Sequence, residues 1–306
     1  MRYKFTIFTP TYNRAYTLRR VFDSLMNQTL PHDQFEWILI NDGSTDETDR
    51  LVKEFLKEAD FDIRYIKHDN RGKNYCHNEA IKIARGELFL ILDSDDAMIE
   101  KSLEIFAGYW KLINERDKEE IYGIFCLCKD GYSNQLIGKK LEEGMVDDAY
   151  AWKHRNRVYF ESWSALNTRV FQNYLFPNQD GVKFIPEAFI WDRAALRRKL
   201  YVTKEILRIV YHQQDGFTKN IVKSYKDHAK GRFIYHRMVI NDLFFELVKY
   251  NPMRLIKDFV QYGRMGLHSG YSLRKIIQEV VGFRKCLVLL FLPISYFLYT
   301  KDRNVR

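Results

Sequence analysis

The chain has 306 residues, 46% of them hydrophobic and 15% aromatic, which excludes a disordered chain and allows one large core with an appendage. Its four cysteines are too few and too scattered for a disulfide framework, and Cys126 and Cys128 lack a second pair, so we expect a reduced compartment and no zinc site. The net charge of +9 is uneven, because residues 219–306 carry 17 Lys and Arg against 6 Asp and Glu, a net of +11, which leaves −2 for residues 1–218.

The first hundred residues alternate between strand and helix patterns. Apolar, β-branched or aromatic runs predict strands at residues 4–9, 36–41, 62–67 and 87–92. Apolar residues at helical spacing predict helices between them, and Ser44 followed by Glu47 predicts a capping box at the start of the second. Such repeated units predict an α/β, Rossmann-like fold with a mainly parallel sheet flanked by helices.

The rest of the chain is less regular. We predict strands at residues 121–128 and 157–161, with a loop or short helix at residues 144–154. From residue 221 onward the pattern is helical. These patterns predict two parts, an α/β domain over residues 1–218 and a basic, helical extension over residues 219–306.

Polar clusters follow three of the predicted strands. They are Thr9–Arg14, Asn41–Ser44 and Asp93–Asp96. Each alone is compatible with ordinary turn and helix-cap chemistry. Because the carboxyl ends of parallel strands share one edge of a sheet, we expect the three clusters to line one cleft.

Asp93-Ser94-Asp95 is the sharpest of these signals. It follows the apolar run Leu88–Leu92, so its carboxylates lie at the end of a buried strand, where like charges are costly without compensation. Mg²⁺ or Mn²⁺ bridging a diphosphate would remove that cost, since these ions are held by few carboxylates together with substrate phosphates.

Three segments together are similar to a known family. FTPTYNRAYTLRRVFDSLMNQT, WILINDGSTDET and GKNYCHNEAIKIARGELFLILDSDD resemble the N-terminal half of glycosyltransferase family 2, which has the GT-A fold. The resemblance is strong over residues 4–100 and weaker to residue 218, and it is closer to bacterial enzymes that assemble O-antigen and capsular polysaccharides. It implies an inverting, metal-dependent sugar transfer from a nucleotide-sugar donor, most often a UDP-sugar, to a lipid-linked saccharide.

The same resemblance implies roles for individual residues of the first hundred. The donor residues would be Thr9, Pro10, Thr11 and Arg14 in the nucleotide pocket, Asp42 at the base, Gly72, Lys73 and Asn74 along the nucleotide, and Asp93 with Ser94 near the ribose. Asp95 would bind the divalent metal. A solvated lysine at a helix start is an equally good interpretation of Lys73.

A second acidic segment, Phe184–Arg193, resembles the part of the family that supplies the catalytic base. An inverting transfer needs a carboxylate to remove the proton of the acceptor hydroxyl. Glu187 is our predicted base and Trp191 a predicted platform for the acceptor sugar, with Asp192 as the alternative base. A helix-opening glutamate stabilised by the helix dipole is the purely structural alternative.

The segment 211–218 lies where relatives carry a further metal or diphosphate ligand. His212 is the chemically suited candidate, and Gln214 aligns equally well but would be a weak ligand. A single histidine is also a common structural residue.

The basic C-terminal region predicts a partner with negative charge. The uncharged run 286–300 is shorter than the ~20 residues that span a bilayer and is flanked by basic residues, which favours an amphipathic segment on an anionic membrane. The alternative is a cap on the catalytic domain or on a second subunit, as in a homodimer, and no motif points to nucleic acid. With no secretory signal in the sequence, we expect a cytoplasmic protein, peripheral at the inner face of the membrane.

Two rival functions remain open at this stage. A sugar-nucleotide pyrophosphorylase would carry a glycine-rich loop after the first strand, and Thr9–Arg14 contains no glycine. A catalytically silent scaffold on the membrane would have no need of Asp42, Asp93, Asp95 and Glu187 together.

Overall fold

The computed structural model describes residues 2–213, 225 and 227–304. The chain divides into two units. The first comprises Met1–Leu175 and Ala194–Gln213, and the second comprises Phe176–Arg193 and Gln214–Arg306. The predicted boundary after residue 218 lies outside the described residues. The sequence pattern did not anticipate that Phe176–Arg193 belongs to the second unit.

The first unit is built on one mixed sheet. Its strands are β1 (Tyr3–Thr11), β2 (Phe35–Asn41), β3 (Asp62–Lys67), β4 (Gly86–Ile91), β5 (Ala97–Met98), β6 (Gly123–Asp130), β7 (Leu136–Ile137), β8 (Gly144–Val146), β9 (Ser162–Asn167) and β10 (Leu200–Val210). The order is β3-β2-β1-β4-β9-β6-β10-β5, with β7 paired to β6 and β8 paired to β10. The four strands β3, β2, β1 and β4 are mutually parallel, and β9 is antiparallel to both of its neighbours. The predicted α/β fold is confirmed.

Four helices form at the places where the apolar spacing predicts them: α1 (Ala15–Met26), α2 (Thr48–Glu58), α3 (Lys73–Ile83) and α4 (Ser102–Leu112). Three shorter helices are α5 (Glu115–Lys118), α6 (Ala149–Arg155), which lies in the segment predicted as a loop or short helix, and α7 (Thr168–Phe171). The sequence pattern did not predict α5 or α7. Phe22 of α1 stacks on Phe55 of α2 with ring centroids 4.2 Å apart, and both rings lie against Trp37 of β2. This buried aromatic group fixes α1 and α2 on the sheet.

Two local predictions were wrong. Ser44 does not cap α2, because its hydroxyl accepts a hydrogen bond from the Asn13 backbone (2.9 Å) while Asp46 accepts from the Thr48 backbone (3.1 Å). The strand predicted at residues 157–161 begins instead at Ser162, directly after that run, and pairs with β4 and β6. Its alternating serines lack the β-branched residues that mark a strand in sequence.

The second unit is helical. Its helices are α8 (Ala188–Ala195, whose last two residues count with the first unit), α9 (Ala229–Asp242), α10 (Phe244–Tyr250), α11 (Pro252–His268), α12 (Leu273–Gln278) and α13 (Arg284–Asn304). Phe233 of α9 stacks on Tyr262 of α11 at 4.5 Å, and the buried Tyr262 hydroxyl donates to the Ile276 carbonyl (2.7 Å). None of the described helices combines the length and apolar character needed to cross a membrane.

Candidate functional site

The loops after β1 and β2 are tied together by hydrogen bonds. Asn13 adopts a left-handed backbone (φ 52°), which Asn tolerates better than most residues, and its side chain accepts a hydrogen bond from the Thr45 backbone (2.8 Å). The Asp42 backbone N–H donates to the Thr11 carbonyl (2.9 Å). The first two predicted clusters therefore lie side by side at the carboxyl edge of the sheet.

Asp42 is buried and holds the loop before α3. Its carboxylate accepts hydrogen bonds from the backbone N–H groups of Arg71 (2.7 Å) and Gly72 (2.9 Å). Gly72 has φ 95°, a conformation that glycine adopts without the steric cost of a Cβ. The loop therefore ends in a fixed geometry that starts α3 at Lys73.

Asp93, at the end of β4, has two cationic neighbours. The Lys73 ammonium lies 2.7 Å from its Oδ1, and an Arg208 guanidinium nitrogen lies 3.2 Å from its Oδ2. Burial raises the pKa of Asp93, but the charges of Lys73 and Arg208 outweigh burial and lower it to about 2. Lys73 is thus ion-paired with the carboxylate cluster, while its side chain stays 35% exposed.

Arg208 was not predicted from the sequence. It lies on β10, is 6% exposed, and donates to Asp96 through its Nε (2.8 Å) and also through an Nη. A further Nη donates to Glu161 (3.3 Å). Arg208 therefore connects the end of β4 to the segment before β9.

The pKa of Asp95 is shifted in the opposite direction to that of Asp93. Burial raises the pKa of Asp95 to about 6, with further contributions from Asp96 and Asp93, while the charge of Arg14 opposes the shift. Its backbone carbonyl accepts a hydrogen bond from Arg20 (2.7 Å). A carboxylate disfavoured by neighbouring carboxylates is what a divalent cation would stabilise, so the oxygen donors here fit Mg²⁺ or Mn²⁺.

The other predicted donor residues of the first unit line or underlie this edge. The buried Thr9 hydroxyl accepts a hydrogen bond from the Trp37 indole (3.0 Å), so this side chain has a packing role. Thr11, Asn74 and Ser94 are buried, and Pro10 is half-buried. The side chains of Arg14, Lys73, Asp93 and Asp95 are half-buried, whereas those of Thr9 and Thr11 are fully buried.

His212 lies two residues after the end of β10 at Val210. Its neighbour Tyr211 donates its backbone N–H to Asp96 (3.0 Å), and the Arg20 guanidinium lies 3.7 Å from the centre of the Tyr211 ring. The His212 side chain is exposed. The alternative ligand Gln214 lies outside the described residues.

The predicted base and its neighbours belong to the second unit. Glu187 is half-buried and directly precedes α8, and its carbonyl accepts the Ile190 and Trp191 backbone hydrogen bonds (3.0 and 3.2 Å). Asp192 is 4% exposed and accepts a long hydrogen bond from the Tyr235 hydroxyl (3.4 Å). Trp191 is half-buried. Of the two acidic candidates, Glu187 is the more accessible.

Comparison with known proteins gives matches to a family model, to curated relatives and to solved structures. Residues 6–115 match the model of the family described as glycosyl transferase family 2. Two curated relatives from Staphylococcus aureus are poly(ribitol-phosphate) β-N-acetylglucosaminyltransferases: TarS, 30% identical over 35% of this chain and 18% of its own length, and TarP, 31% identical over 48% of this chain and 43% of its own length. GlyA, a glycosyltransferase of Streptococcus pneumoniae, is 37% identical over 37% of this chain and 18% of its own length.

Solved structures share the fold over almost the whole chain. The crystal structure of S. aureus TarS 1-349 in complex with UDP has a TM-score of 0.59 at 14% identity and covers 98% of this chain and 90% of that chain. The mannosyltransferase PcManGT from Pyrobaculum calidifontis, in complex with GDP-Man and Mn²⁺, has a TM-score of 0.59 at 16% identity, covering 99% and 83%. By sequence, this chain spans less than half the length of the curated relatives above.

Proposed function

We propose that this chain, whose residues 6–115 match the model of glycosyl transferase family 2, moves a sugar from a nucleotide-sugar donor to a saccharide acceptor in the synthesis of a cell-surface polysaccharide. The observation that carries the proposal is the carboxylate cluster that follows β4. The Lys73 ammonium (2.7 Å) and an Arg208 guanidinium nitrogen (3.2 Å) contact the Asp93 carboxylate, and the pKa of Asp95, two residues further on, is raised to about 6. The named ligands of the structural neighbours, UDP and GDP-Man, favour a nucleotide-sugar donor.

Each donor residue has a separate task in this proposal. Asp42 and the loop it holds receive the base, for which uracil is the family's most frequent choice. Asp93, ionised and fixed by Lys73, accepts hydrogen bonds from the ribose. Arg14 and Lys73 add positive charge near the diphosphate.

Asp95 is the proposed ligand for the divalent cation, with His212 or Gln214 as a further ligand. When bound, Mn²⁺ or Mg²⁺ supplies neutralising charge for the departing nucleoside diphosphate. The raised pKa of Asp95 supports this assignment, because a cation in contact with the carboxylate would favour its ionised form.

Glu187 is the proposed general base. It accepts the proton of the acceptor hydroxyl while that oxygen forms a bond to the anomeric carbon and the bond from that carbon to the diphosphate breaks. One displacement of this kind inverts the anomeric configuration. Trp191 supplies an aromatic face for the acceptor sugar. The burial of Asp192 favours Glu187 in this role.

We expect nucleoside diphosphates to stabilise the protein only when metal is present. A ligand at a hundredfold excess over its Kd should stabilise the folded state by about 2.7 kcal/mol. The measurement is the melting temperature with a panel of nucleoside diphosphates and nucleotide sugars, with and without Mn²⁺. Asp95→Ala should remove the metal-dependent part, and UDP compounds should give the largest shift.

Asp23→Ala is the matched control, since Asp23 is an exposed carboxylate on α1 paired with Arg19.

The Mn²⁺-dependent shift in melting temperature should also shrink as the pH falls below about 6, because Asp95 then takes up the proton that competes with the metal. If no nucleotide gives a metal-dependent shift, the silent scaffold becomes the better hypothesis.

We further propose that α13 lies on an anionic membrane, which would place the protein at the inner face of the cytoplasmic membrane near a lipid-linked acceptor. Two polar side chains of α13 face inward: Ser295 donates to the Val260 carbonyl (2.9 Å), and Asp302 accepts from Arg264 (2.7 Å). Its outward residues are large and apolar, with Leu290 66% and Phe297 64% exposed. An apolar face turned outward is typical of a helix that contacts lipid.

The basic residues at both ends of α13 favour an anionic membrane over a second copy of the chain as the partner of this helix. Arg284 and Lys285 begin α13, and Lys301 and Arg303 lie near its end, whereas Asp302 points inward to Arg264. Each basic residue near an anionic surface contributes about 1 kcal/mol to binding. Two copies meeting through this face would instead bring like charges together at both ends.

Leu290→Glu should weaken binding to vesicles containing anionic phosphatidylglycerol by at least tenfold, because it places a charge in the apolar face. Flotation of the full chain with these vesicles measures the effect. Leu112→Glu is the matched control, since Leu112 is a similarly exposed leucine on α4 of the first unit. A dimer that Leu290→Glu dissociates, with equal vesicle binding for both variants, would contradict the membrane proposal.

A further inference from the structure

A mixed group of metal-ligand side chains comes from the residues that follow β2 and β3 and from α3. Ligand atoms of Asp42, His68 and Cys76 all lie within 4.8 Å of one another. The His68 Nδ1 is 3.4 Å from Asp42 Oδ1, and its Nε2 is 3.8 Å from Cys76 Sγ. These contacts bring together a nitrogen, a sulfur and an oxygen donor, none of them part of the carboxylate cluster of Asp93, Asp95 and Asp96.

The imidazole of His68 is oriented as in a metal site. Its Nδ1 lies 2.9 Å from the Asp69 carbonyl, to which an N–H at that position donates. The proton on Nδ1 leaves the Nε2 lone pair directed toward the Cys76 sulfur. Metal-binding histidines characteristically donate their other ring N–H to a carbonyl or carboxylate, which fixes the ring and its tautomer.

Glu79 adds a fourth candidate donor. It lies three residues after Cys76 on α3, so the two side chains share a face of the helix. Its Oε2 atom lies 3.3 Å from His68 Nε2. This oxygen atom is buried and accepts no hydrogen bond among the described residues. The partly exposed side chains of His68 and Glu79 give an ion a route to the buried Cys76.

We propose that Asp42, His68 and Cys76, with Glu79 as the fourth ligand, bind a zinc ion. One thiolate, one imidazole and carboxylate oxygens are the donors that Zn²⁺ accepts in a four-coordinate site, whereas Mg²⁺ and Mn²⁺ prefer oxygen alone. The expectation that the chain has no zinc site rested on the spacing of cysteines in the sequence, and this site uses one cysteine with ligands from three segments. Binding releases the Cys76 thiol proton to solvent.

Zinc at this site would affect donor binding, an inference that rests on the proposed function. Asp42 is the proposed base-binding residue and also holds the loop that begins α3. Zinc on the Asp42 carboxylate therefore competes with the nucleotide base for that residue. Zinc would act as an inhibitor at the donor pocket, independently of the Mn²⁺ or Mg²⁺ site at Asp95.

Cobalt titration of the full chain, without nucleotide, tests the site directly. Co²⁺ replaces Zn²⁺ in such sites and gives a thiolate-to-cobalt charge-transfer absorption that Zn²⁺ removes by displacement. We expect one equivalent of this absorption for the unmodified chain, its loss in Cys76→Ser, and at least tenfold weaker binding in His68→Gln. Melting curves of the metal-free variants establish that each is folded.

Cys286→Ser is the matched control, because Cys286 is an exposed cysteine far from this group in the chain. It should leave the absorption unchanged. Absence of the absorption in the unmodified chain, or its persistence in Cys76→Ser, would overturn the zinc site whether or not the chain binds nucleotides. Added UDP should lower the apparent Co²⁺ affinity, and an unchanged affinity would remove only the competition with the donor.

Discussion

Replacing Glu187 with glutamine is expected to slow sugar transfer by about 10³-fold while leaving nucleotide binding unchanged. General base catalysis contributes typically 10² to 10⁴ in rate, and glutamine keeps the size of the side chain but cannot accept the proton. Glu187 directly precedes α8 and is half-buried. The measurement is the rate of nucleoside diphosphate release in the presence of acceptor, using the donor that the melting panel identifies.

Asp192→Asn is the comparison that separates the two candidate bases. Asp192 is buried beside the Tyr235 hydroxyl, which in turn accepts from Arg254 (2.5 Å), so asparagine there should lower stability more than catalysis. We expect the transfer rate of folded Asp192→Asn to stay within about tenfold of the unmodified chain. A thousandfold loss in Asp192→Asn with normal transfer by Glu187→Gln would exchange the two assignments.

The sequence predicted the N-terminal strands well because they are buried, uninterrupted apolar runs. The strand predicted at residues 62–67 matches β3 in the structure, and the run predicted at residues 87–92 is shifted by one residue from β4. Parallel strands covered on both faces have this composition, and the intervening helices show the apolar spacing of a single buried face. Local sequence was sufficient for these elements.

The sequence did not predict interactions between residues far apart in the chain. Arg208 lies 112 residues after Asp96, and no periodicity marks an arginine on a strand as the counter-ion of a distant carboxylate. The grouping of His68 with Asp42 and Cys76 depends in the same way on the arrangement of β2, β3 and α3. Motif spacing identified Asp93 and Asp95, while the charges that separate their pKa values became apparent only in the folded chain.

Replacing Arg208 with methionine is expected to lower the free energy of unfolding at pH 7 by about 3–5 kcal/mol. Removing one partner of a buried ion pair leaves the other charge buried and uncompensated, and Asp96 is 2% exposed. Methionine retains much of the packing volume, so the decrease in the free energy of unfolding should come mainly from the lost charge rather than from a cavity. Urea denaturation followed by circular dichroism measures it.

Arg19→Met provides the matched control for this experiment. Arg19 also bonds two carboxylates, Asp23 (2.7 Å) and Glu58 (3.0 Å), but all three side chains are exposed, so its loss should cost less than about 1 kcal/mol. Equal costs for Arg208→Met and Arg19→Met would contradict the role given to Arg208.

A double variant, Arg208→Met with Asp96→Asn, tests whether the lost stability comes from the uncompensated charge of Asp96. The double variant should be more stable than Arg208→Met alone, because asparagine removes the uncompensated charge.

In the unmodified chain the pKa of Asp93 is lowered to about 2. Its ion pairs therefore contribute stability above the ordinary aspartate pKa, and this contribution is lost as the pH falls toward 2. Without Arg208 that contribution is smaller, so the deficit of Arg208→Met should be largest near neutral pH. It should narrow in acid as Asp93 and Asp96 take up protons, and a deficit that did not change with pH would show that Arg208 acts through packing rather than charge.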